Sequence, residues 1–338
     1  MTEKKISIPK EKFLIIGCGS IGKRHLKNLQ DLGVKEIIAF DTNNQRCSEI
    51  KKNYHIDVYD NLEEAMKENV SVTIICSPTS YHRAHIQKSV NANCHIFVEK
   101  PIADSLKNME SLLAEIKSRN LISLVGCNFR FHPGLQKVKS LLDENAIGKI
   151  ISARAQFGQY LPDWHPWEDY RNTYSAKKEL GGGVLLDRIH EIDYIRWLLG
   201  DVVEVFAVLQ HLSSLEIDTE DVAELILTFS KGHIASIHLD YIRRIYDCGV
   251  EIIGEEGIIQ WNYQDHCVHW YVAAQKKWNR IQWTNYEPNQ MYLDEMRHFL
   301  ELLNHHETAQ LPADEGVKVL EIALAAKKSA QKHKPVIL

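Results

Sequence analysis

The chain lacks any apolar run close to the roughly 20 residues that a membrane-spanning helix needs, and it has no excess of positive charge. Lysine and arginine number 40 against 45 aspartate and glutamate residues, which gives a formal net charge of −5. General nucleic-acid binders usually present a basic field, and the charge balance argues against one here. We therefore expect neither a membrane nor a nucleic acid among the partners.

Disulfide and metal motifs are missing as well. The seven cysteines include no C-x-x-C pair, and several, such as Cys76, lie inside apolar runs. The 17 histidines show no metal-ligand spacing. Free thiols in a reducing compartment explain this cysteine usage, and residues 1–11 are charged without the apolar segment of a secretory signal. We expect a cytoplasmic protein that needs no metal.

What is present suffices for two domains. The chain has 338 residues, of which 44% are hydrophobic and 25% charged, as in ordinary globular proteins. Up to residue 126, short apolar runs alternate with amphipathic segments of helical length, which predicts βαβ units and a doubly wound parallel sheet. From residue 202 to 261, long strands joined by turn signals predict an antiparallel sheet. We predict an α/β chain with domains over 1–126 and 127–338, whose C-terminal helix could pack back on the first domain.

A glycine-rich loop follows the first predicted strand, Phe13 to Ile16, and opens a helix. In the pattern G-x-G-x-x-G the first glycine permits a tight turn, the second lets the backbone approach a pyrophosphate, and the third allows close packing of helix on strand. The helix N-terminus adds partial positive charge. The residues predicted to bind a dinucleotide here are Gly17, Gly19, Ser20, Ile21 and Gly22.

The acidic residue that such a loop requires is Asp41, nineteen residues after Gly22 at the end of the second predicted strand. There a carboxylate can accept hydrogen bonds from both ribose hydroxyls and repels a 2′-phosphate. The residues 42–44 carry no positive charge, and Arg46 belongs more simply to the surface of the next helix. We predict NAD as the cofactor in preference to NADP.

A charged tripeptide ends an apolar run later in the same domain. Glu99, Lys100 and Pro101 follow the residues 95–98, and proline stops the strand because it has no N–H. In open α/β sheets, ligands bind outside the carboxyl ends of the strands. Lys100 could therefore face a cofactor and a substrate together; the alternative is an ordinary ion pair with Glu99 or another acidic neighbour.

Six segments match the motifs of one family: GCGSIG (17–22), CSPTSYH (76–82), EKP (99–101), CNFRFHP (127–133), IGKI (147–150) and GGGVLLDRIHEIDYIRWLLG (181–200). Together they resemble the Gfo/Idh/MocA oxidoreductases over nearly the whole chain. The resemblance implies a Rossmann domain, then an α/β domain with an open, largely antiparallel sheet for substrate and subunit contacts. It also implies NAD(P)-dependent chemistry at a carbinol carbon, and a homodimer or homotetramer.

For catalysis the resemblance points to Lys100, His190 and Asp187. Oxidising a carbinol requires removal of the hydroxyl proton, which imidazole can take near neutral pH, while lysine can polarise the oxygen. Asp187 and His190 are three residues apart in a predicted helix and would share a face. This interval is one position shorter than the commonest family spacing, so alignment on His190-x-x-Asp193 puts Leu186 in place of Asp187. His190 could also be a core histidine beside Asp193.

Further residues are expected to bind ligands, partly because the resemblance implies it, as for Ser77, Pro78 and His82, and partly because of their own chemistry. Those expected to line the cofactor cleft are Ser77, Pro78, His82 and Glu99, together with Lys100. Those expected to bind substrate are Arg130, Trp164, Tyr170 and Asp187. Arg130 could equally cap the domain junction. The aromatic residues of the segment 164–170 suit stacking on a sugar ring, and they equally suit a packed lid or a subunit contact.

These observations predict an NAD(P)-dependent dehydrogenase or reductase that acts on a sugar or sugar derivative. The segment DWHPWEDYR (163–171) resembles members that work in sugar biosynthesis, so a nucleotide-linked sugar for surface glycans is one candidate substrate. A cyclitol or diol dehydrogenase is the alternative enzyme. The non-enzyme alternative is a dinucleotide-sensing regulatory protein, although the presence of both Lys100 and His190 argues against it.

Overall fold

The computed structural model describes residues 10–305 and 309–338, which divide into two compact units. The first unit holds the described residues up to Asn128 and the segment Pro288–Val317. The second holds Phe129–Glu287 and Lys318–Leu338. Within the described ranges, no helix has both the length and the hydrophobicity for a membrane crossing.

The first unit is built on a six-stranded sheet. Its strands are β1 (Phe13–Ile16), β2 (Ile37–Phe40), β3 (Asp57–Tyr59), β4 (Val72–Ile75), β5 (His95–Glu99) and β6 (Ser123–Gly126). They lie in the order β3-β2-β1-β4-β5-β6, and every neighbouring pair is parallel. The predicted doubly wound sheet is confirmed. Its strand order reverses at β1 and β4, where ligands bind in this architecture.

Helices connect these strands. They are α1 (Ser20–Asp31), α2 (Asn44–Tyr54), α3 (Leu62–Met66), α4 (Thr79–Asn91) and α5 (Met109–Ser118). All four residues of β1 are buried, as are those of β2 and β4. Strands that are buried on both faces need continuous apolar sequence rather than alternation. This is why apolar runs in the sequence predicted these strands.

The second unit carries a nine-stranded sheet. Its strands are β7 (Ile150–Gly158), β8 (Val202–Gln210), β9 (Val222–Phe229), β10 (Ile234–Asp240), β11 (Asp247–Gly254), β12 (Gly257–Asn262), β13 (Cys267–Val272), β14 (Lys277–Gln282) and β15 (Val336–Ile337). The order is β14-β13-β12-β11-β7-β10-β9-β8-β15. Only the pair of β7 and β10 is parallel among these strand pairs, so the prediction of a largely antiparallel sheet is confirmed.

One face of this sheet is buried and the other is open. Along β9 buried residues alternate with more exposed ones, as expected for a sheet covered on one side. On the open face Phe206 and Ile226 lie directly opposite each other, and they are 38% and 46% exposed. The homo-oligomer remains a prediction.

The remaining helices are α6 (Pro133–Asp143), α7 (Val184–Asp187), α8 (His190–Leu199), α9 (Gln290–His305) and α10 (Ala313–Lys332). In α9, Met296, Phe299 and Leu300 are buried in the core of the first unit, and the Phe299 ring meets Phe97 edge-on at 5.6 Å. This apolar stripe explains why a segment so late in the chain belongs to the first unit.

The structure corrects one local prediction in the second unit. The sequence predicted a single helix that carries Asp187 and His190 on one face. Instead α7 ends at Asp187, Arg188 leaves helical geometry with φ −100° and ψ 39°, and α8 begins at His190. The prediction that Asp187 and His190 share one face of a helix is therefore wrong.

Candidate active site

The glycine loop has the shape that a dinucleotide requires. A Cβ on Gly17, whose φ is +98°, would lie 2.8 Å from the backbone nitrogen of Ser77, and one on Gly22 would lie 2.0 Å from the carbonyl oxygen of Gly17. By contrast, a Cβ on Gly19 would have no atom within 4 Å. The first and third glycines are thus needed for packing. The second leaves an open cradle, which fits a pyrophosphate.

A substitution in this cradle tests the cofactor site. Gly19 has φ −69° and ψ −165°, an extended backbone that valine adopts readily. We expect Gly19→Val to melt near the wild-type temperature yet to weaken NADH binding by at least about tenfold, which is about 1.4 kcal/mol. Gly22→Ala, in contrast, should lower both the melting temperature and the affinity. Thermal melts and NADH fluorescence titrations measure these effects, and wild-type affinity in Gly19→Val would exclude the loop as the pyrophosphate site.

Asp41 is fixed next to the loop. The residue is 5% exposed, and its two carboxylate oxygens accept hydrogen bonds from the backbone N–H groups of Cys18 and Asn43, both at 2.8 Å. Arg46 lies on α2, as the sequence predicted, but its guanidinium also reaches within 3.7 Å of Asp41. A 2′-phosphate at this position would still be repelled by the negative charge of the Asp41 carboxylate. Burial and then the charge of Asp41 raise the pKa of the Cys18 thiol to about 12.

The ends of β4 and β5 carry the next group of predicted residues. Ser77 follows β4, and Pro78 is the N-cap of α4. His82 is 1% exposed, and its ring nitrogens lie 2.7 Å from the carbonyl oxygen of Ser77 and 2.8 Å from that of Pro101. The structure therefore gives His82 contacts with the backbone at the ends of two neighbouring strands.

Glu99 and Lys100 lie at the end of β5. One carboxylate oxygen of Glu99 is 2.6 Å from the ring nitrogen Nε2 of His25, and the other accepts a hydrogen bond from the backbone N–H of Lys100 at 3.2 Å. Lys100 itself is partly buried, and its peptide bond to Pro101 is cis. Glu99 therefore links α1 to the backbone of the predicted catalytic lysine.

Sequence reasoning missed His25. The helix α1 buries Gly22, His25, Leu26 and Leu29, which are spaced as one face of a helix. A histidine on this largely apolar face, which also buries Asn28, was the available signal, and it lies three residues after the last glycine of the loop. Its partner Glu99 is 74 residues away in the chain, and no local pattern identifies it.

In the second unit, Asp187 is 2% exposed. Its carboxylate accepts hydrogen bonds from Ser175 Oγ at 2.7 Å, from the Tyr241 hydroxyl at 3.0 Å and from the Tyr174 hydroxyl. Burial, and then the charge of Asp187, raises the pKa of Tyr241 well above its ordinary value, so this phenol stays protonated and donates. Hydroxyl donors thus fix the orientation of the Asp187 carboxylate.

His190 and Arg130 are also buried in this unit, at 5% and 3% exposure. The His190 ring lies 5.0 Å from the ring of Phe129. Arg130 forms a two-pronged ion pair with Asp193, with Nε–Oδ2 and Nη2–Oδ1 distances of 2.9 Å and 2.7 Å. Buried pairs of this geometry are strong, so Arg130 has a structural partner within its own unit. Substrate binding by Arg130 remains a prediction.

The aromatic segment surrounds a small pocket of about 10 Å³, which is room for about one water molecule. Its lining residues are Leu161, Trp164, His165, Tyr170, Thr173 and Ser175. The Trp164 ring packs edge-on against Tyr241 at 5.4 Å, and Ser175 and Tyr241 both donate to Asp187. The structure therefore brings Trp164 and Tyr170 together on this pocket, and hydroxyl groups connect its wall to Asp187. Trp167 is 77% exposed and is not among the lining residues.

Comparison with known families identifies both halves of the chain. Residues 11–127 match the model described as "Oxidoreductase family, NAD-binding Rossmann fold". Residues 135–260 match the "GFO/IDH/MocA C-terminal domain". The two matches together span more than half of the chain.

Individual relatives agree with these matches. The chain is 28% identical over 337 residues to myo-inositol 2-dehydrogenase of Thermotoga maritima, covering 96% of this chain and 97% of the relative. It is 31% identical over 254 residues to the uncharacterized oxidoreductase YrbE of Bacillus subtilis, covering 72% and 71%. Among solved structures, levoglucosan dehydrogenase in complex with NADH superposes with a TM-score of 0.87 at 21% identity, over 97% of this chain and 98% of the other.

Proposed function

Because this chain belongs to the GFO/IDH/MocA family of oxidoreductases and contains its NAD-binding Rossmann domain, we propose that it oxidises or reduces a CH–OH group of a cyclitol or sugar with NAD. One observation carries this proposal. The adjacent strands β2, β1, β4 and β5 end in Asp41, the glycine loop, Ser77 and Glu99-Lys100. The residues proposed to bind the dinucleotide and the proposed catalytic lysine thus follow strands that end at the same carboxyl edge of one sheet, and this supports the proposal.

We propose the following roles for the residues. The glycine loop binds the pyrophosphate, and Asp41 binds the ribose hydroxyls. Lys100 donates to the reacting oxygen and stabilises the negative charge that develops there. His190 takes the hydroxyl proton during oxidation and returns it during reduction. When bound, the nicotinamide accepts or gives the hydride.

For Asp187 we propose substrate positioning. Its carboxylate is held by hydroxyl donors, so it offers a rigid acceptor for a substrate hydroxyl. Trp164 and Tyr170 line the neighbouring pocket, which has room for only about one water molecule, so a ring would have to displace part of this segment to meet their aromatic surface. A polyhydroxylated ring offers both a hydroxyl group for Asp187 and an apolar face for the aromatic side chains.

The named relatives and this chemistry support a proposal for the substrate class. One relative is a myo-inositol 2-dehydrogenase, and levoglucosan dehydrogenase shares the fold. We place cyclitols and free or anhydro sugars ahead of nucleotide-linked sugars, since neither name includes a nucleotide. The regulatory protein remains the non-enzyme alternative.

A substrate panel tests the proposal. The purified chain is incubated with NAD⁺ and, separately, with inositols, aldoses, levoglucosan and nucleotide sugars, and NADH formation is followed by absorbance. We expect turnover of at least one cyclitol or sugar with NAD⁺ and much less with NADP⁺. Turnover of nucleotide sugars alone would move the function to glycan synthesis. Tight NADH binding without turnover of any member in either direction would favour the regulatory protein.

A further inference from the structure

Two buried histidines hold the residues on either side of Lys100. His25 comes from α1 and contacts the side chain of Glu99, which precedes the lysine. His82 comes from α4 and contacts the carbonyl of Pro101, which follows it. We call His25 and His82 the histidine clamp.

The His25 half of the clamp is a contact between its ring and the side chain of Glu99. His25 is fully buried and Glu99 is 8% exposed, and the 2.6 Å between Nε2 and the carboxylate is short for a hydrogen bond of this kind. The ring of Phe97 packs edge-on against His25 at 4.9 Å. The second carboxylate oxygen of Glu99 accepts a hydrogen bond from the Lys100 N–H. Glu99 therefore connects His25 to the backbone of the lysine.

The His82 half of the clamp contacts backbone only. Its two neighbours are the carbonyl oxygens of Ser77 and Pro101, and both of them only accept hydrogen bonds. The imidazolium donates to both carbonyls, whereas the neutral ring donates to one. Burial lowers the pKa of His82, and the hydrogen bonds to these two carbonyls offset only part of that effect. The ring bridges the ends of β4 and β5, which are paired in the sheet.

We propose that the histidine clamp positions Lys100 for the hydride-transfer reaction. Lysine carries its ammonium on a long, flexible side chain, so the position of the backbone sets which points the ammonium can reach, and a displaced backbone displaces that range. In a catalytic site, a misplacement of about 1 Å can lower the rate by about 10²-fold. His25 and His82 are positioning residues, because neither acts on the substrate itself. This inference rests on the proposed function.

The kinetic test compares variants of His25 and His82 with a matched histidine. We expect His25→Ala and His82→Ala each to lower kcat by about 10- to 100-fold, with NADH affinity within about threefold of wild type. His25→Gln should recover much of the loss at that position, because its amide can still donate to Glu99. The control is His95→Ala. His95 begins the same strand β5, at its other end, and its ring accepts from the Ile122 N–H at 3.0 Å.

A second measurement does not depend on turnover. Lysine acylation by acetic anhydride, followed by peptide mass spectrometry, gives the labelling rate of Lys100 relative to the exposed Lys107. We expect this ratio, and its protection by NAD⁺, to change in His25→Ala and His82→Ala and to stay unchanged in His95→Ala. If no substrate of the panel is turned over, the proposed function fails. The labelling ratio would still show whether His25 and His82 position Lys100.

Three outcomes would overturn the clamp. One is an unchanged labelling ratio in both alanine variants. Another is a kinetic loss in His95→Ala equal to that in the clamp variants. The third is a His25→Gln variant as impaired as His25→Ala. Either of these two results would mean that the histidines contribute only to the general stability of the protein. If His25→Ala does not fold, Glu99→Gln replaces it. That variant keeps the side-chain volume and weakens the same contact, so wild-type labelling and kcat in it would exclude the His25 half.

Discussion

Lys100→Ala is expected to lower kcat by about 10²–10³-fold, the usual cost of removing one donor to a developing oxyanion. NADH affinity should stay within about threefold, since the glycine loop and Asp41 hold most of the dinucleotide in the proposed site. The loss should therefore lie in kcat rather than in cofactor affinity. Steady-state kinetics on the substrate found in the panel, together with NADH titration, measure both quantities.

The control is Lys107→Ala, which removes an exposed lysine from the same unit. We expect it to leave kcat and NADH affinity unchanged. Substantial turnover in Lys100→Ala would remove the lysine from the mechanism. A large loss of NADH affinity in that variant would instead make Lys100 a cofactor ligand.

His190→Asn is expected to lower kcat/KM for oxidation by about 10²–10⁴-fold, the range for loss of a general base. The base must be neutral to accept the hydroxyl proton. Wild-type kcat/KM should therefore fall as pH drops and the imidazole becomes protonated. Asparagine keeps an amide of similar size but does not titrate, so this acid limb should disappear from the profile. An unchanged acid limb in the variant would exclude His190 as the proton acceptor.

A histidine in the same unit provides the matched control. His132 is 1% exposed, and burial lowers its pKa to about 3, so it stays neutral across the assay range. It is the N-cap of α6 and accepts from the Gly134 N–H at 3.0 Å, a position that asparagine also suits. His132→Asn should leave the pH profile unchanged.

The sequence predicted the architecture of both sheets because their strands carry strong local patterns. The apolar runs of β1, β2 and β4 are buried throughout, and β9 alternates. Four strands were missed, namely β3, β13, β14 and β15. In β14 five of the six residues are exposed, so neither face produces a hydrophobic period. The break at Arg188 was missed because the segment 184–199 reads as one continuous helix.

The sequence by itself determined the parts of the proposed site in which neighbouring residues act together: the glycine loop, Asp41 at the end of β2 and Lys100 at the end of β5. These positions follow from the order of strand, turn and helix, which short stretches of sequence encode. Only the tertiary structure decided which side chains hold the functional groups. Glu99 contacts His25, which is 74 residues away in the chain. Asp187 accepts a hydrogen bond from Tyr241, which is 54 residues away. Arg130 pairs with Asp193, which is 63 residues away. Such partners meet because separate elements pack together, and a contact between distant segments leaves no periodic pattern in one sequence.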